Sequence, residues 1–169
     1  MMDIRLIVHD VRSTHNVGSL LRTADGLGVR HVYFTGYTPY PVKENDTRLP
    51  HISTKLTKDI HKTALGAEQT VKWSRQDDVV SVIRDLQTDG FTVVALEQTD
   101  DAVPLATFEA PPRVALLLGR EVEGIEPDLV KLCDSVVAIP MLGSKESFNV
   151  VQAAAMALYQ FRHLPKPGK

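Results

Sequence analysis

The chain has 169 residues, long enough for one domain with a buried core, and its 43% hydrophobic and 24% charged residues are typical of a globular protein. Its single cysteine excludes an intrachain disulfide. The sequence has no apolar stretch that approaches the roughly 18 residues of a membrane span. It also lacks a basic start followed by the apolar stretch of a signal peptide. We therefore expect a single-domain, cytoplasmic protein that does not contact a membrane.

The formal net charge of −2 hides an uneven distribution of charge. Residues 1–75 carry 11 Lys and Arg against 7 Asp and Glu, whereas residues 76–169 carry 8 against 14. A polyanion would therefore be expected to meet the N-terminal half. Chance asymmetry in a small domain explains this distribution about as well, so charge alone does not identify a partner.

The first part of the chain predicts a strand, a helix and a second strand. Residues 4–8 are continuously apolar, as in a buried strand. Residues 17–27 place their apolar side chains on one helical face, and Gly28 is a typical helix stop. Residues 29–34 then predict the second strand.

Residues 35–56 are rich in Pro, Tyr, Thr and charged residues without a period, which predicts a long loop. The next patterns predict a helix over 58–65, a strand over 70–73, a helix over 79–86 and a strand over 91–96. Beyond them, the predicted elements are a strand at 114–118, a helix at 128–133, a strand at 136–139 and a helix at 148–162.

Strands and helices therefore alternate, and the strands are apolar throughout. This pattern predicts an α/β fold with a mostly parallel sheet flanked by helices on both faces. We place one domain over residues 1–164 and a flexible tail over 165–169, because Pro165 and Pro167 exclude a longer last helix.

Several common catalytic signatures are absent from the sequence. It contains no GxGxxG after a strand, no GxxxxGK[ST], no HExxH and no GxSxG. The histidines lack metal-ligand spacing, and one cysteine supports no Cys-rich zinc site. A dinucleotide-dependent dehydrogenase, a P-loop enzyme, a zinc hydrolase and an α/β-hydrolase are thus disfavoured, and no metal is expected.

Polar residues and glycines follow three of the predicted strands directly. Glu97 follows Leu96, Gly119 begins the Gly-Arg-Glu segment after the next strand, and Ile139 precedes Pro-Met-Leu-Gly-Ser. Ligands of open α/β sheets bind beyond the carboxyl ends of strands, so three such loops side by side would cradle one small molecule. Each segment taken alone is better explained as an ordinary turn.

Other polar residues also have simple structural explanations. Arg22 lies off the apolar face of its helix and fits a solvated arginine, while Asn16 fits a cap of the same helix. Ser147 and Asn149 would cap the last helix, and Glu121 would be solvated. None of these residues decides the function singly.

Together, three ordered clusters resemble the motifs of one family. Residues 16–24 (NVGSLLRTA) resemble the first motif of the SpoU-type (TrmH-like) RNA ribose methyltransferases of the SPOUT superfamily. Residues 118–125 (LGREVEGI) resemble the second, and residues 139–141 (IPM) with 147–150 (SFNV) resemble the third. The chain departs from the family at Val122, where Gly is frequent, and at Phe148, where Leu is usual.

The resemblance implies a homodimer whose C-terminal segment forms a trefoil knot, and S-adenosylmethionine as cofactor. The implied activity is methylation of a ribose 2′-hydroxyl in structured RNA, with tRNA slightly favoured over rRNA. Cofactor binding, largely through backbone, is carried over to Leu96, Glu97, Gly119, Ile139, Met141, Ser147 and Phe148. The catalytic set is carried over to Arg22, Asn16, Glu121, Ser147 and Asn149.

The family analogy gives proton removal to Arg22, but arginine normally stays protonated. We expect Arg22 instead to bind the adjacent RNA phosphate and to stabilise the developing alkoxide, so that phosphate or water accepts the proton. Asn16 would orient Arg22 or the ribose, and Glu121 would hold Asn16 or Arg22 in place. Ser147 and Asn149 would order the cofactor loop and the ribose pocket.

Cations and aromatic rings of the N-terminal half are candidate RNA contacts. The candidate backbone contacts, each equally well explained as a solvated charge, are Arg12, Arg22, Lys43, Arg48, Lys55, Lys58 and Lys62. The candidate stacking faces are Tyr33, Tyr37, Tyr40 and Phe34, of which Phe34 better fits the core. Two alternatives stay open, a catalytically inactive knotted RNA-binding protein and a different small α/β enzyme.

Overall fold

A computed structural model describes residues 2–163, and the predicted tail at 165–169 lies outside them. The strands are β1 Asp3–His9, β2 His31–Thr35, β3 Trp73–Gln76, β4 Thr92–Leu96, β5 Val103–Pro104, β6 Arg113–Leu118 and β7 Ser135–Ala138. The helices are α1 Thr14–Gly26, α2 Pro50–Ala64, α3 Ala67–Thr70, α4 Val79–Thr88, α5 Pro127–Leu132 and α6 Val150–His163, with a 3₁₀ turn at Leu105–Thr107.

The strands form one sheet in the order β3-β2-β1-β6-β4-β7-β5, and every pairing is parallel. The predicted parallel sheet is thereby confirmed. In the centre, Leu6 of β1 stands opposite Val32 of β2 and Leu116 of β6. All carboxyl ends of parallel strands meet at one edge, so the loops that follow β1, β6, β4 and β7 are neighbours there.

Helices cover both faces of the sheet, which explains the continuously apolar strands. Alternate side chains of β1 serve the two faces: Leu6 packs with α1, α2, α3 and α6, whereas Ile7 packs with α4 and α5. Within residues 2–163, no helix has the length and apolar character needed to cross a membrane.

Two predicted segments differ from the structure. The predicted loop 35–56 is shorter, because α2 already begins at Pro50, a residue well suited to a first helical position. The buried face of α2 begins with Ser53, a weak apolar signal that hid the helix. The predicted strand 70–73 is also wrong, since α3 ends at Thr70 and β3 begins at Trp73. The predicted helix stop at Gly28 is confirmed by its φ of +65°.

Helices α1 and α2 approach each other closely at Gly18 of the first motif. A Cβ at this position would lie 2.2 Å from the backbone oxygen of Ile60 and 2.2 Å from Oγ1 of Thr63. Only glycine therefore permits this packing, which fixes α1 and the polar residues it carries.

Arg162 joins the end of α6 to the beginning of the fold. Its guanidinium donates to the backbone oxygens of Leu27 at 3.0 Å, Met2 at 3.0 Å and Gly28 at 2.8 Å. The carbonyls at the end of α1 are thereby satisfied by a cation, the charge that a helix C-terminus prefers.

Candidate active site

A cleft of about 680 Å³, including its open mouth, lies at the carboxyl ends of β4, β6 and β7 and beside the start of α6. Six predicted cofactor residues line it: Leu96, Glu97, Gly119, Ile139, Ser147 and Phe148. The seventh, Met141, is not among the lining residues. The three strand-end loops are therefore brought together as the sequence predicts.

Glu97 fastens the loop that follows β6 to the end of β4. Its Oε2 accepts a hydrogen bond from the backbone N–H of Ile125 at 2.7 Å, and its Oε1 accepts one from Gln98 N–H at 2.8 Å. Gly124 has a φ of +71°, and a Cβ there would lie 2.2 Å from Glu97 Oε2. The carboxylate is thus committed to shaping the cleft wall.

The loop after β6 folds back on itself as a tight turn. The backbones of Arg120 and Gly124 exchange hydrogen bonds of 3.2 and 3.1 Å. The turn packs against Gly119, where a Cβ would lie 2.7 Å from the carbonyl group of Gly124. Val122 is consequently at the tip and is 91% exposed.

Three residues of this region were not singled out from the sequence, although two lie within the second motif. They are Arg120 and Gly124 of the turn, and Gln98, whose Nε2 donates to the backbone oxygen of Ile139 at 2.7 Å. Gln98 thereby connects the ends of β4 and β7 across the cleft. Its place directly after a strand end was the only sequence signal.

The lining of the cleft suits a flat ligand that carries positive charge. Apolar side chains of Leu96, Leu118, Ile139 and Phe148 form its walls. The backbone N–H groups of Ser147 and Phe148 donate to no group within residues 2–163 and are available to a ligand.

The charged lining residues are three carboxylates, Glu97, Glu121 and Glu123, against one guanidinium, Arg120. An adenine ring edge read by backbone and a sulfonium cation near carboxylates both fit this lining, as S-adenosylmethionine requires.

Beside the cleft, three polar side chains form a directional chain. The backbone N–H of Val151 donates to Asn149 Oδ1 at 2.9 Å, and Asn149 Nδ2 donates to Asn16 Oδ1 at 3.4 Å. Asn16 Nδ2 in turn donates to Glu121 Oε1 at 3.3 Å. Because a carboxylate only accepts and a backbone N–H only donates, the two ends fix the orientation of both amides.

Glu121 also closes the N-terminus of α1. Its carboxylate accepts the backbone N–H of Ser13 at 3.1 Å and of Arg12 at 3.3 Å. Burial opposes ionisation of this carboxyl, but the hydrogen bonds from Ser13, Arg12 and Asn16 outweigh it and lower its pKa below the ordinary value. The helix cap itself is Ser13, whose Oγ accepts from Asn16 N–H at 3.2 Å, so Asn16 is free for the chain described above.

Glu121→Gln is expected to destabilise the protein by about 1–2 kcal/mol at neutral pH, because one acceptor oxygen is replaced by a donor that faces other donors. The pKa of Glu121 is lowered on folding, so its contribution is present above the ordinary value of 4.5 and is lost as the pH falls through the lowered pKa. Urea unfolding across this pH range measures the difference between wild type and variant. Glu123→Gln, at the exposed tip of the same turn, is the control and should change stability by less than about 0.5 kcal/mol. A difference that persisted at low pH would contradict this account.

Arg22 stands apart from the other predicted catalytic residues. Its side chain is exposed, and its guanidinium forms no hydrogen bond or ion pair within residues 2–163. It follows Asn16 by six positions on α1, which separates the two by about 9 Å along the helix axis and by about 120° around it. The structure therefore joins Glu121 to Asn16, and neither to Arg22. A shallow groove between α1 and α2 contains Arg22, with Lys62, Thr63 and Val151 nearby.

The other predicted RNA contacts differ in their availability. Arg12, Lys43 and Lys58 are exposed. Lys55 and Lys62 are exposed as well, but each pairs with Asp59, at 3.8 and 2.8 Å.

Arg48 is committed to its own loop. Its guanidinium pairs with Asp46, donates to the backbone oxygens of Tyr40 at 2.9 Å and Pro41 at 3.0 Å, and lies 3.7 Å from the centre of the Tyr40 ring. The hydrogen bond to Asp46 raises the pKa of Arg48. Arg48 therefore holds the loop together and is poorly placed for a phosphate contact.

Curated relatives are enzymes that methylate RNA ribose. The tRNA (guanosine(18)-2'-O)-methyltransferase of Aquifex aeolicus is 25% identical, over 94% of this chain and 68% of its own length. The 23S rRNA (guanosine-2'-O-)-methyltransferase RlmB of Acinetobacter baylyi is 30% identical, over 92% of this chain and 57% of its own. The chain thus spans little more than half the length of the second relative.

Solved structures share the fold. The TrmH/SpoU tRNA modifying enzyme of A. aeolicus matches with a TM-score of 0.78 and 24% identity, over 95% of this chain and 74% of that one. An AdoMet-bound rRNA methyltransferase from Sinorhizobium meliloti matches with a TM-score of 0.77 and 23% identity, over 94% and 55%. The family model described as "SpoU rRNA Methylase family" matches residues 3–159, nearly the whole chain with all three motifs, and the chain belongs to this family.

Proposed function

We propose that this protein methylates the 2′-hydroxyl of a ribose in a structured RNA, with S-adenosylmethionine as its cofactor. The observation that carries the proposal is the polar chain from Asn149 through Asn16 to Glu121 at the side of the cleft. A tRNA substrate is favoured over rRNA, because the match to the A. aeolicus tRNA enzyme extends over a larger share of the relative's length than the match to the rRNA enzyme.

S-adenosylmethionine, when bound, supplies a methyl group on a positively charged sulfur, which activates it toward an oxygen nucleophile. The side-chain amides of Asn16 and Asn149 each donate one N–H within the polar chain, and the second N–H of each amide remains available. These N–H groups are available to hold a ribose hydroxyl at the mouth of the cleft and align it for attack.

Glu121 is not suited to accept the hydroxyl proton. Its carboxylate already receives three hydrogen bonds, which lower its pKa. It orients Asn16 and supports the start of α1. The proton passes instead to water or to an adjacent RNA phosphate, with Arg22 binding that phosphate and stabilising the charge that develops on the ribose oxygen.

The protein acts as a homodimer in this proposal. The guanidinium of Arg22 has no partner among residues 2–163 of its own chain and lies away from the polar chain, so the arginine of one protomer would serve the cleft of the other. Helix α6 exposes apolar surface for a second copy, with Met156 37% and Tyr159 55% exposed. Sedimentation of the protein as a monomer at all concentrations would contradict the dimer.

The proposed fold includes a trefoil knot formed by the C-terminal segment. The sheet order supports it, because β6 and β7 are inserted between earlier strands and the chain must still return to place α6 beside α1 and β6. The knot would be contradicted by an experimental structure in which the C-terminal segment does not pass through a loop of the backbone.

The test of the proposed function is a map of 2′-O-methylation in total RNA from cells with and without the gene. We expect one modified site to be lost in the absence of the gene and restored by the wild-type protein. If the strain without the gene kept every 2′-O-methylated site while the purified protein still bound RNA, the protein would instead be an inactive RNA-binding protein. Calorimetry must also detect S-adenosylmethionine binding at millimolar ligand or below, since an enzyme of this class requires it.

A further inference from the structure

The four aromatic candidates for RNA stacking have very different surroundings. Phe34 is fully buried, the half-buried Tyr33 packs against His31, and Tyr40 lies beneath the guanidinium of Arg48. Tyr37 is 80% exposed, and its ring has no aromatic or cation contact and its hydroxyl no hydrogen bond within residues 2–163. Of the four, Tyr37 alone presents a free ring face.

The backbone beneath this ring is firmly held. Tyr37 N–H donates to Asp10 Oδ1 at 2.6 Å, and Arg75 donates to the backbone oxygen of Gly36 at 2.7 Å. The buried Thr38 donates through Oγ1 to the backbone oxygen of Val8 at 2.9 Å. These bonds tie the turn after β2 to the end of β1, so the exposed ring stands on a rigid base.

The close approach of this turn to the end of β1 depends on two backbone conformations. Asp10, which directly follows β1, has a φ of 54°, a left-handed conformation that aspartate adopts more readily than most residues other than glycine. Gly36 has a φ of 61°, and a Cβ there would lie 1.9 Å from Asp10 Oδ1. Tyr37 is therefore an exposed ring on a tightly bonded turn whose packing against Asp10 requires glycine at position 36.

Sheet register places Tyr37 near the cleft. Thr35 of β2 stands opposite His9, and the preceding Val8 stands opposite Leu118, the residue before Gly119. The ends of β2 and β6 are therefore two strand spacings apart, about 10 Å across the same edge. The loop between them carries the exposed Arg12, whose backbone N–H binds Glu121.

We propose that Tyr37 stacks on a nucleobase adjacent to the target nucleotide in a single-stranded region of the RNA. The inference rests on the proposed function and adds a base-binding residue to it. A free ring face beside the site accepts any base, and the exposed Arg12, in the loop between the two strand ends, supplies a phosphate contact. A splayed-out, single-stranded segment is the form in which a ribose reaches a protein cleft.

The test measures binding of a fluorescein-labelled, mixed-sequence RNA of about 12 nucleotides by anisotropy over a range of salt concentrations. Tyr37→Ala is expected to weaken binding roughly 5- to 150-fold, whereas Tyr37→Phe and Tyr37→Trp retain it. Stacking releases no counterions, so the slope of log K against log salt should not change in Tyr37→Ala. Arg12→Ala is the matched electrostatic variant, and it should reduce the steepness of that slope by about 0.7.

Several results would overturn the proposal. Equal RNA affinity of Tyr37→Ala and wild type would remove the stacking role and leave the proposed function intact, provided that S-adenosylmethionine binding is also unchanged. A change of oligomeric state in Tyr37→Ala, measured by sedimentation, would make the ring a contact between protein chains. If the wild-type protein bound neither RNA nor S-adenosylmethionine, the proposed function itself would be rejected. Because the ring is exposed, Tyr37→Ala should keep the thermal stability of the wild type.

Discussion

Arg22→Ala is expected to lower the rate of methyl transfer roughly 100- to 1000-fold, the usual cost of losing a group that stabilises developing negative charge. The affinity for S-adenosylmethionine should not change, because Arg22 lies outside the residues that line the cleft. The rate is measured with radiolabelled S-adenosylmethionine on RNA from cells that lack the gene, and the affinity by calorimetry. Arg22→Lys should recover only part of the rate, since lysine lacks the planar fork that binds phosphate through two hydrogen bonds.

The control for Arg22 is Arg84→Ala. Arg84 is also an exposed helical arginine, but it belongs to α4 on the opposite face of the sheet. The same loss of net charge there should leave the methylation rate unchanged. Full activity of Arg22→Ala would exclude Arg22 from the mechanism, and a loss of cofactor affinity would show that it also contributes to cofactor binding.

Mixing two inactive variants tests whether the arginine is supplied by the partner chain. In a dimer with shared sites, Arg22→Ala and Asn16→Ala protomers would combine so that one site of each mixed dimer has both wild-type residues. After complete subunit exchange, activity should return to roughly a quarter of the wild-type value, as expected for a two-fold symmetric dimer. No recovery after verified exchange would show that each chain uses its own Arg22.

The sheet was predictable from sequence because its strands are buried on both faces and therefore continuously apolar. Residues 114–118 and 91–96 differ from β6 and β4 by one residue each. The first half of helix α2 was missed because its polar side chains face solvent and its buried face includes Ser53, whereas the predicted helix 58–65 coincides with its second half. The short β5, at Val103–Pro104, has too few residues to produce a pattern, and its place comes from pairing with β7.

The candidate site was predictable only in part. Order and spacing of three motifs identified the loops, but the contacts within them depend on parts of the chain far apart in sequence. Glu121 reaches the start of α1 across 105 positions to Asn16, and Asn149 reaches Asn16 across 133. The separation of Arg22 from Asn16 follows from helical geometry, but the role proposed for Arg22 depends on a second chain. A knot has no local sequence signal at all.

Gly119→Ala is expected to weaken S-adenosylmethionine binding at least roughly 10-fold, equivalent to about 1.4 kcal/mol. The added Cβ would lie 2.7 Å from the carbonyl carbon and oxygen of Gly124 and 2.7 Å from Cγ1 of Ile125. The turn must therefore move outward and change the cleft wall, with a loss of stability of about 1–3 kcal/mol typical of overpacking. Calorimetry measures the affinity and urea unfolding the stability. Gly26→Ala, where an added Cβ has no neighbour within 4 Å, should leave the affinity unchanged and raise the stability by about 0.4–1 kcal/mol, because alanine favours the helix.

A double-mutant cycle that combines Gly119→Ala with Glu97→Gln tests whether Glu97 prevents the turn from moving away from the new methyl group. The clash with Gly124 is costly because Glu97 Oε2 holds the adjacent N–H of Ile125 at 2.7 Å, and the turn is closed by the backbone bonds of Arg120. Glu97→Gln alone should weaken cofactor binding by loosening this wall. In the Gly119→Ala background, Glu97→Gln should reduce cofactor affinity by a smaller factor, because the turn is already displaced and losing the Glu97 contact relieves part of the clash. Strictly additive costs would show that Glu97 and Gly119 act on the cleft independently.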